Sequence, residues 1–231
     1  MQDFLIIELQ GAMQAWGGHT YEDYRPSLIF PTRSAILGLL GACLGIEREN
    51  LTALKGLDNS FELTVRANLR KIYQRENSVP KPPVSMQKIT DFHTVQHARK
   101  VDGKPRAEAI VSRREYLCDA EFTLALSFVD DAKYGLDRVK QAIQKPIYTP
   151  FLGRRSCPIQ SPLFKAVINA VNVQVALNQI APGYGTLYSE LELDGGTPMM
   201  VRDQPLFATN VRQFSNRRIY ILGAGGEHVL E

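Results

Sequence analysis

Phe61-Glu62-Leu63-Thr64-Val65-Arg66-Ala67-Asn68-Leu69 decides the fold class. Five apolar residues alternate with Glu62, Thr64, Arg66 and Asn68. Successive side chains of a strand point to opposite faces, so this period of two predicts a half-buried β-strand. Ala120, Phe122, Leu124, Leu126 and Phe128 alternate in the same way with Glu121, Thr123, Ala125 and Ser127, which predicts another. Nearer the start, Phe4 to Leu9 is a short apolar run suited to a buried central strand.

Between the first two strands, Pro31 to Gly45 reads as a helix that Thr32 or Ser34 can cap and Gly45 can end. Ile36, Leu37, Leu40, Cys43 and Leu44 form its apolar stripe. Gly38, Gly41 and Gly45 fall on one side, and each glycine costs a helix up to about 1 kcal/mol. Close packing against a strand is the expected reason. A second helix fits Leu136 to Gln144, with Leu136, Val139, Ala142 and Ile143 on one face. The order strand, helix, strand, insertion, strand, helix, then a further strand, is the split βαβ arrangement. The fold class is therefore α+β, with a ferredoxin-like (RNA-recognition-motif-like) body. Val167 to Val173 and Arg218 to Leu222 read as strands, and Gly195-Gly196 as a hairpin turn. The insertion at about 74–112 carries Pro80, Pro82, Pro83 and Pro105 and little apolar periodicity. It is either disordered or a structured arm.

Charge is unevenly spread. Residues 66–114 hold twelve Lys/Arg and four acids, a net +8 in a chain whose total is +3. A basic block on a near-neutral body is the footprint of phosphate-backbone binding. No apolar run approaches the ~18–20 residues of a membrane span. The N-terminal stretch lacks the basic n-region of a signal peptide, so a cytoplasmic location is expected. Cys43, Cys118 and Cys157 are far apart with no CxxC pair, and read as buried thiols. His93 and His97 stand four apart, as metal ligands on a helix would, but no acidic partner completes a site. No cofactor or metal is expected.

Two segments are more specific than periodicity. One is Met13-Gln14-Ala15-Trp16-Gly17, followed by Phe30-Pro31-Thr32-Arg33-Ser34 and Leu37-Gly38-Leu39-Leu40-Gly41-Ala42-Cys43-Leu44-Gly45-Ile46. The other is Arg114-Glu115-Tyr116-Leu117-Cys118-Asp119-Ala120, followed by Tyr148-Thr149-Pro150-Phe151-Leu152-Gly153-Arg154-Arg155-Ser156-Cys157-Pro158. With Asp91-Phe92-His93-Thr94-Val95, they resemble the CasD subunit family of the type I-E CRISPR Cascade complex over nearly the whole chain, least in the arm and after about residue 165. The resemblance implies a ferredoxin-like body with a thumb-like insertion. It implies a partner, the CRISPR RNA, bound at its 5′ handle. It also implies contacts with backbone subunits and the large subunit, and with target DNA through the complex. A separate subunit cuts the precursor RNA in such systems, whereas in a related subtype a relative of this family cuts. Put together, 1–231 is one domain: a body from 1–73 and 113–165, a basic thumb at 74–112 and a β-rich extension at 166–231.

The candidate RNA-binding residues are Gln14, Trp16, Gly17, Arg33, His93, Arg114, Tyr148, Phe151, Gly153, Arg154 and Arg155. Gly153 would let backbone approach a phosphate onto which Arg154 and Arg155 fork. Tyr148 and Phe151 offer flat faces for unstacked bases or serve as core; relatives often carry Tyr at the position of Phe151, and Phe keeps stacking without the hydroxyl. Arg114 lies at the base of the arm. Trp16 either stacks on a base or lids the core. Arg33 sits at a helix N-terminus, where its charge opposes the dipole and a phosphate would relieve it. His93 contacts RNA or braces the arm. Metal-free RNA cleavage needs a base, an acid and cations. His19, Tyr21, His93 and His97 could serve, but no compact motif gathers them. Holding RNA is preferred to cutting it, a metal-independent endoribonuclease being the alternative.

Overall fold

The computed structural model describes residues 1–18, 20, 22–69, 86–99, 102–181, 183–208 and 213–223. His19, Tyr21 and residues 74–85 and 100–101 of the insertion lie outside the described residues. In chain order the elements are β1 (Gln2–Gln10), β2 (Met13–Gln14), β3 (Trp16–Gly17), β4 (Tyr24–Arg25), β5 (Ser27–Leu28), α1 (Arg33–Cys43), α2 (Leu51–Asp58), β6 (Phe61–Asn68), β7 (Gln87–Val95), β8 (Ile110–Cys118), β9 (Glu121–Phe128), α3 (Leu136–Gln144), β10 (Phe164–Ala170), α4 (Val173–Asn178), β11 (Gly185–Ser189), β12 (Thr197–Leu206) and β13 (Gln213–Leu222).

Seven strands form one sheet in the order β10-β1-β9-β6-β11-β13-β12, every neighbouring pair antiparallel. β1 explains its position by its sequence. Leu5, Ile7 and Leu9 point into one core with α1, α2 and α3, while Phe4 and Ile6 point into a second core with α4. An apolar run with no alternation is what a strand covered on both faces requires. β6 and β9 are also buried on both faces, not one as their alternation predicts. The buried polar residues of β6 find partners: Thr64 pairs with Ser189, Asn68 donates to Thr123, and Arg66 reaches the end of α4. Arg66, 1% exposed, donates to the carbonyls of Leu177 (2.6 Å) and Ile180 (2.9 Å) and to Asn68 Oδ1 (2.8 Å). It neutralises the carbonyl end of α4 and is lost to the basic surface. Its burial lowers its pKa.

Thr32 caps α1, its hydroxyl accepting from Ala35 N. The glycines of α1 do not mark close backbone packing. Gly38 is exposed with open space where a Cβ would lie, Gly41 faces only the Leu54 side chain, and Gly45 ends the helix at φ +71°. Short α2 goes unpredicted, although Asn50 caps it on Ala53 N. Gly195-Gly196 is not a hairpin turn either. It precedes β12, which does not pair with β11, because β13 lies between them.

Candidate nucleic-acid interface

β8 is the axis of a second sheet. β7 pairs along one side of it, from Gln87↔Cys118 to Val95↔Ile110, and short β2 and β4 pair along the other. Residues opposite one another in an antiparallel register share a face. One face of the β7–β8 hairpin therefore carries Ile89, Asp91, His93 and Val95 with Ile110, Ser112, Arg114 and Tyr116. The opposite face carries Lys88, Thr90, Phe92 and Thr94 with Val111, Arg113, Glu115 and Leu117.

Tyr116 organises the first face. The Arg154 guanidinium lies 4.6 Å from its ring centroid, and its hydroxyl is 3.1 Å from His93 Nε2. His93 is also 3.0 Å from an Asp91 carboxylate oxygen. Arg154 donates to the carbonyls of Glu115 (3.1 Å) and Arg25 (3.2 Å), which ties the loop before β10 to β4 and β8. Arg114 Nε donates to Ser112 Oγ, 3.1 Å away. Arg25 and Arg155 are exposed, while Arg114 and Arg154 are half-buried.

Glu115 organises the other face. It is 8% exposed and accepts from the Tyr24 hydroxyl, the Ser27 N–H (2.9 Å) and Lys88 Nζ (3.0 Å). Burial alone raises its pKa, but these donors outweigh it and the net shift is downward. The same contact raises the pKa of Tyr24. Arg113 lies over the Tyr24 ring at 5.6 Å and hydrogen-bonds Asp23, which lowers the pKa of that carboxyl. The hairpin is thus clamped at its base, while Phe92 stays 66% exposed on it.

The predicted residues separate into different surroundings. Trp16 is fully buried, edge-on to Phe122 at 6.2 Å, so it lids the core and offers no face to a base. Gln14 is fully buried too, its amide donating to Ala120 O at 2.6 Å. Gly153 is exposed and packs closely on the body: at φ +83°, an added Cβ would stand 1.8 Å from Ala15 O. Arg33 meets carboxylates in place of a phosphate. It is 5% exposed, pairs with Asp58 (2.7 Å) and Glu190, and donates to Phe61 O (3.1 Å). Asp203 Oδ2 accepts from the Arg33 N–H at 2.8 Å and supplies the anion expected at that helix N-terminus. Gly17 is exposed with open space around it. Phe151 is half-buried, and Tyr148 is exposed beside the end of α1, where its N–H donates to Ala42 O. His93 lies on a strand and His97 in a turn at φ +52°, so the pair is not on a helix. Among the described residues no group of three His, Cys, Asp or Glu is placed to hold a metal.

Tyr24, Arg25, Lys88, Glu115 and Tyr116 were missed as a set. Strand alternation within Arg114-Glu115-Tyr116 is the signal for the two-faced hairpin, since it sends Glu115 away from its neighbours. The β4 pairing to β8 is parallel and short, and nothing in the local sequence marks it.

A clamped hairpin with guanidiniums at its foot suits a phosphate backbone, and residues 4–220 match the family model described as CRISPR-associated protein (Cas_Cas5). The chain belongs to this CRISPR-associated family. Within it, the chain is 42% identical over 227 residues to the CRISPR system Cascade subunit CasD of Escherichia coli (strain K12), covering 97% of this chain and 98% of that one. A chain of a solved "CRISPR RNA-guided surveillance complex" superposes with a TM-score of 0.69 at 24% identity, covering 96% of this chain and 90% of the other. A solved "Cas protein" gives a TM-score of 0.62 at 23% identity, over 96% and 94% of the two chains. These two likenesses establish the fold shared with the family. No helix among the described residues is long and apolar enough to cross a membrane.

Proposed function

We propose that this chain is a non-catalytic RNA-binding subunit of a CRISPR surveillance complex in the cytoplasm. It caps the 5′ handle of the mature CRISPR RNA and helps organise backbone and large subunits for RNA-guided DNA recognition. The observation that carries the reading is the 42% identity, end to end, to a Cascade subunit CasD.

The foot of the hairpin supports it physically. Arg114, Arg154 and Arg155, with Arg25, supply guanidiniums for phosphate oxygens. His93 braces Tyr116 and thereby Arg154. Gln14 and Trp16 are buried in the body, Arg33 is held by Asp58 and Glu190, Gly17 is exposed, and Phe151 and Gly153 lead into the arginine loop. His93, Tyr116 and Glu115 are each engaged with protein partners, which favours holding RNA over proton transfer to it. The order β10-β1-β9-β6, with helices between β1 and β6 and between β9 and β10, supports a ferredoxin-like reading of the body at 1–73 and 113–165. The thumb is 74–112; β10 (Phe164–Ala170) carries the body past 165 as its edge strand beside β1, and β11, β13 and β12 extend the sheet beyond β6.

The test is co-expression with the other subunits and a CRISPR RNA, followed by nuclease footprinting of the purified particle. The chain is expected to co-purify and to protect the 5′ end of the RNA. A particle that forms without it and keeps the same 5′ protection would overturn the reading.

A further inference from the structure

After α3 the chain is exposed from Gln144 to Thr149, with Ile147 68% and Tyr148 47% exposed. This segment is nevertheless tied down. The Ile147 and Tyr148 N–H groups donate to the carbonyls of Cys43 and Ala42 at the end of α1, both at 3.0 Å. Ile147 also packs on Gly45, where φ is +71° and an added Cβ would stand 2.7 Å from Ile147 Cδ1. The fold therefore presents a large apolar side chain to solvent in a fixed position. Beside it runs a groove of about 560 Å³ between α1 and α3, lined by Cys43, Leu44, Ala142 and Ile147, by two glutamines, and by Arg138 and Lys145. None of the described residues that line it is acidic.

We infer that this groove docks an acidic segment of a neighbouring protein subunit, with an apolar side chain of that segment against Ile147 and its carboxylates on Arg138 and Lys145. The inference rests on the reading of the chain as a complex subunit. Charge complementarity selects the sign of the partner: two cations border the groove with no lining carboxylate to neutralise them. Apolarity selects its class. Apolar side chains at the centre of a patch with a polar rim are the anatomy of a protein–protein contact. Tyr148 offers one flat face beside Ile147, but RNA would also need a denser set of cations, and that set stands at the foot of the hairpin.

The experiment uses the full chain carrying the photo-crosslinker p-benzoylphenylalanine in place of Ile147, assembled with the other subunits and CRISPR RNA. Irradiation is expected to yield an adduct with one protein subunit, and digestion should map it to an acidic segment. An adduct with RNA, or none in a particle that contains the chain, would overturn the inference. Arg138→Glu/Lys145→Glu provides a second reading. Its recovery in the particle is expected to fall about tenfold, while binding of the isolated chain to RNA changes less than about twofold. Wild-type recovery, or an equal loss of RNA binding, would overturn the docking role. Failure of the wild-type chain to enter any particle would instead overturn the subunit reading itself.

Discussion

Arg33→Ala separates the buried ion pair from the phosphate contact that the sequence alone suggested. The Arg33 guanidinium is held by Asp58 Oδ1 at 2.7 Å, by Glu190 and by Phe61 O at 3.1 Å, with the Phe61 ring 4.8 Å from it. Burial would lower its pKa, but Glu190 and Asp58 overcome this and raise it, so it stays charged. Removing one partner of a buried pair costs about 3–5 kcal/mol, because the remaining charge loses its compensation. Two features place this case toward the lower end. Glu190 keeps Arg217 at 2.9 Å and Leu63 N at 2.7 Å, and Asp58 keeps Gln204 at 2.6 Å. For a chain of 150–250 residues each kcal/mol lowers Tm by about 2–4 °C, so a drop of roughly 6–15 °C is expected. The assay is thermal unfolding by circular dichroism, paired with RNA binding well below the transition. The expected outcome is a lower Tm with unchanged RNA affinity in the folded fraction. A variant that melts with the wild type and binds RNA more weakly would refute the reasoning and return Arg33 to the RNA surface.

Three further outcomes are expected. Gly153→Ala should destabilise the chain by about 1–3 kcal/mol or more, since the new methyl meets Ala15 O in a left-handed backbone; chemical denaturation measures it, and an unchanged midpoint would count against the contact. Glu115→Gln should lower stability at neutral pH. Because the Glu115 pKa is lowered on folding, its contribution is present above the ordinary value of 4.5 and is lost as pH falls through the folded value. The gap between wild type and Glu115→Gln should therefore close in acid, and a gap that widened there would contradict the assignment. Arg154→Ala/Arg155→Ala should reduce the slope of log K against log salt by about 0.7 per lost phosphate contact for a single strand; an unchanged slope removes both from the interface.

Much of the sheet was legible in the sequence because a strand or helix announces itself by period. β6, β9 and α3 lie where their patterns put them, and Thr32 caps α1 as its type and place predict. The misses have physical causes. α2 is only eight residues long and carries Gly56, so its apolar repeat barely completes two turns. Alternation told that β6 had a polar face, but not that Arg66 on it would be buried and reach the carbonyls of Leu177 and Ile180. Charge was read as exposure, which fails wherever carboxylates distant in sequence converge: Asp58, Glu190 and Asp203 come from three separate stretches to meet Arg33 and Arg217. The candidate site was legible as a basic region with an arginine loop. The clamp of Tyr24, Lys88 and Glu115 was not, since it depends on pairing between β4 and β8.

The most direct test of the central claim is to incubate the purified full chain with an end-labelled CRISPR repeat RNA in EDTA, and to follow retention and cleavage on the same sample. Retention of an intact RNA through its handle, lost when the handle is deleted, is the predicted result. Discrete cutting at one site would contradict the holding role and identify the chain as a metal-independent processing nuclease.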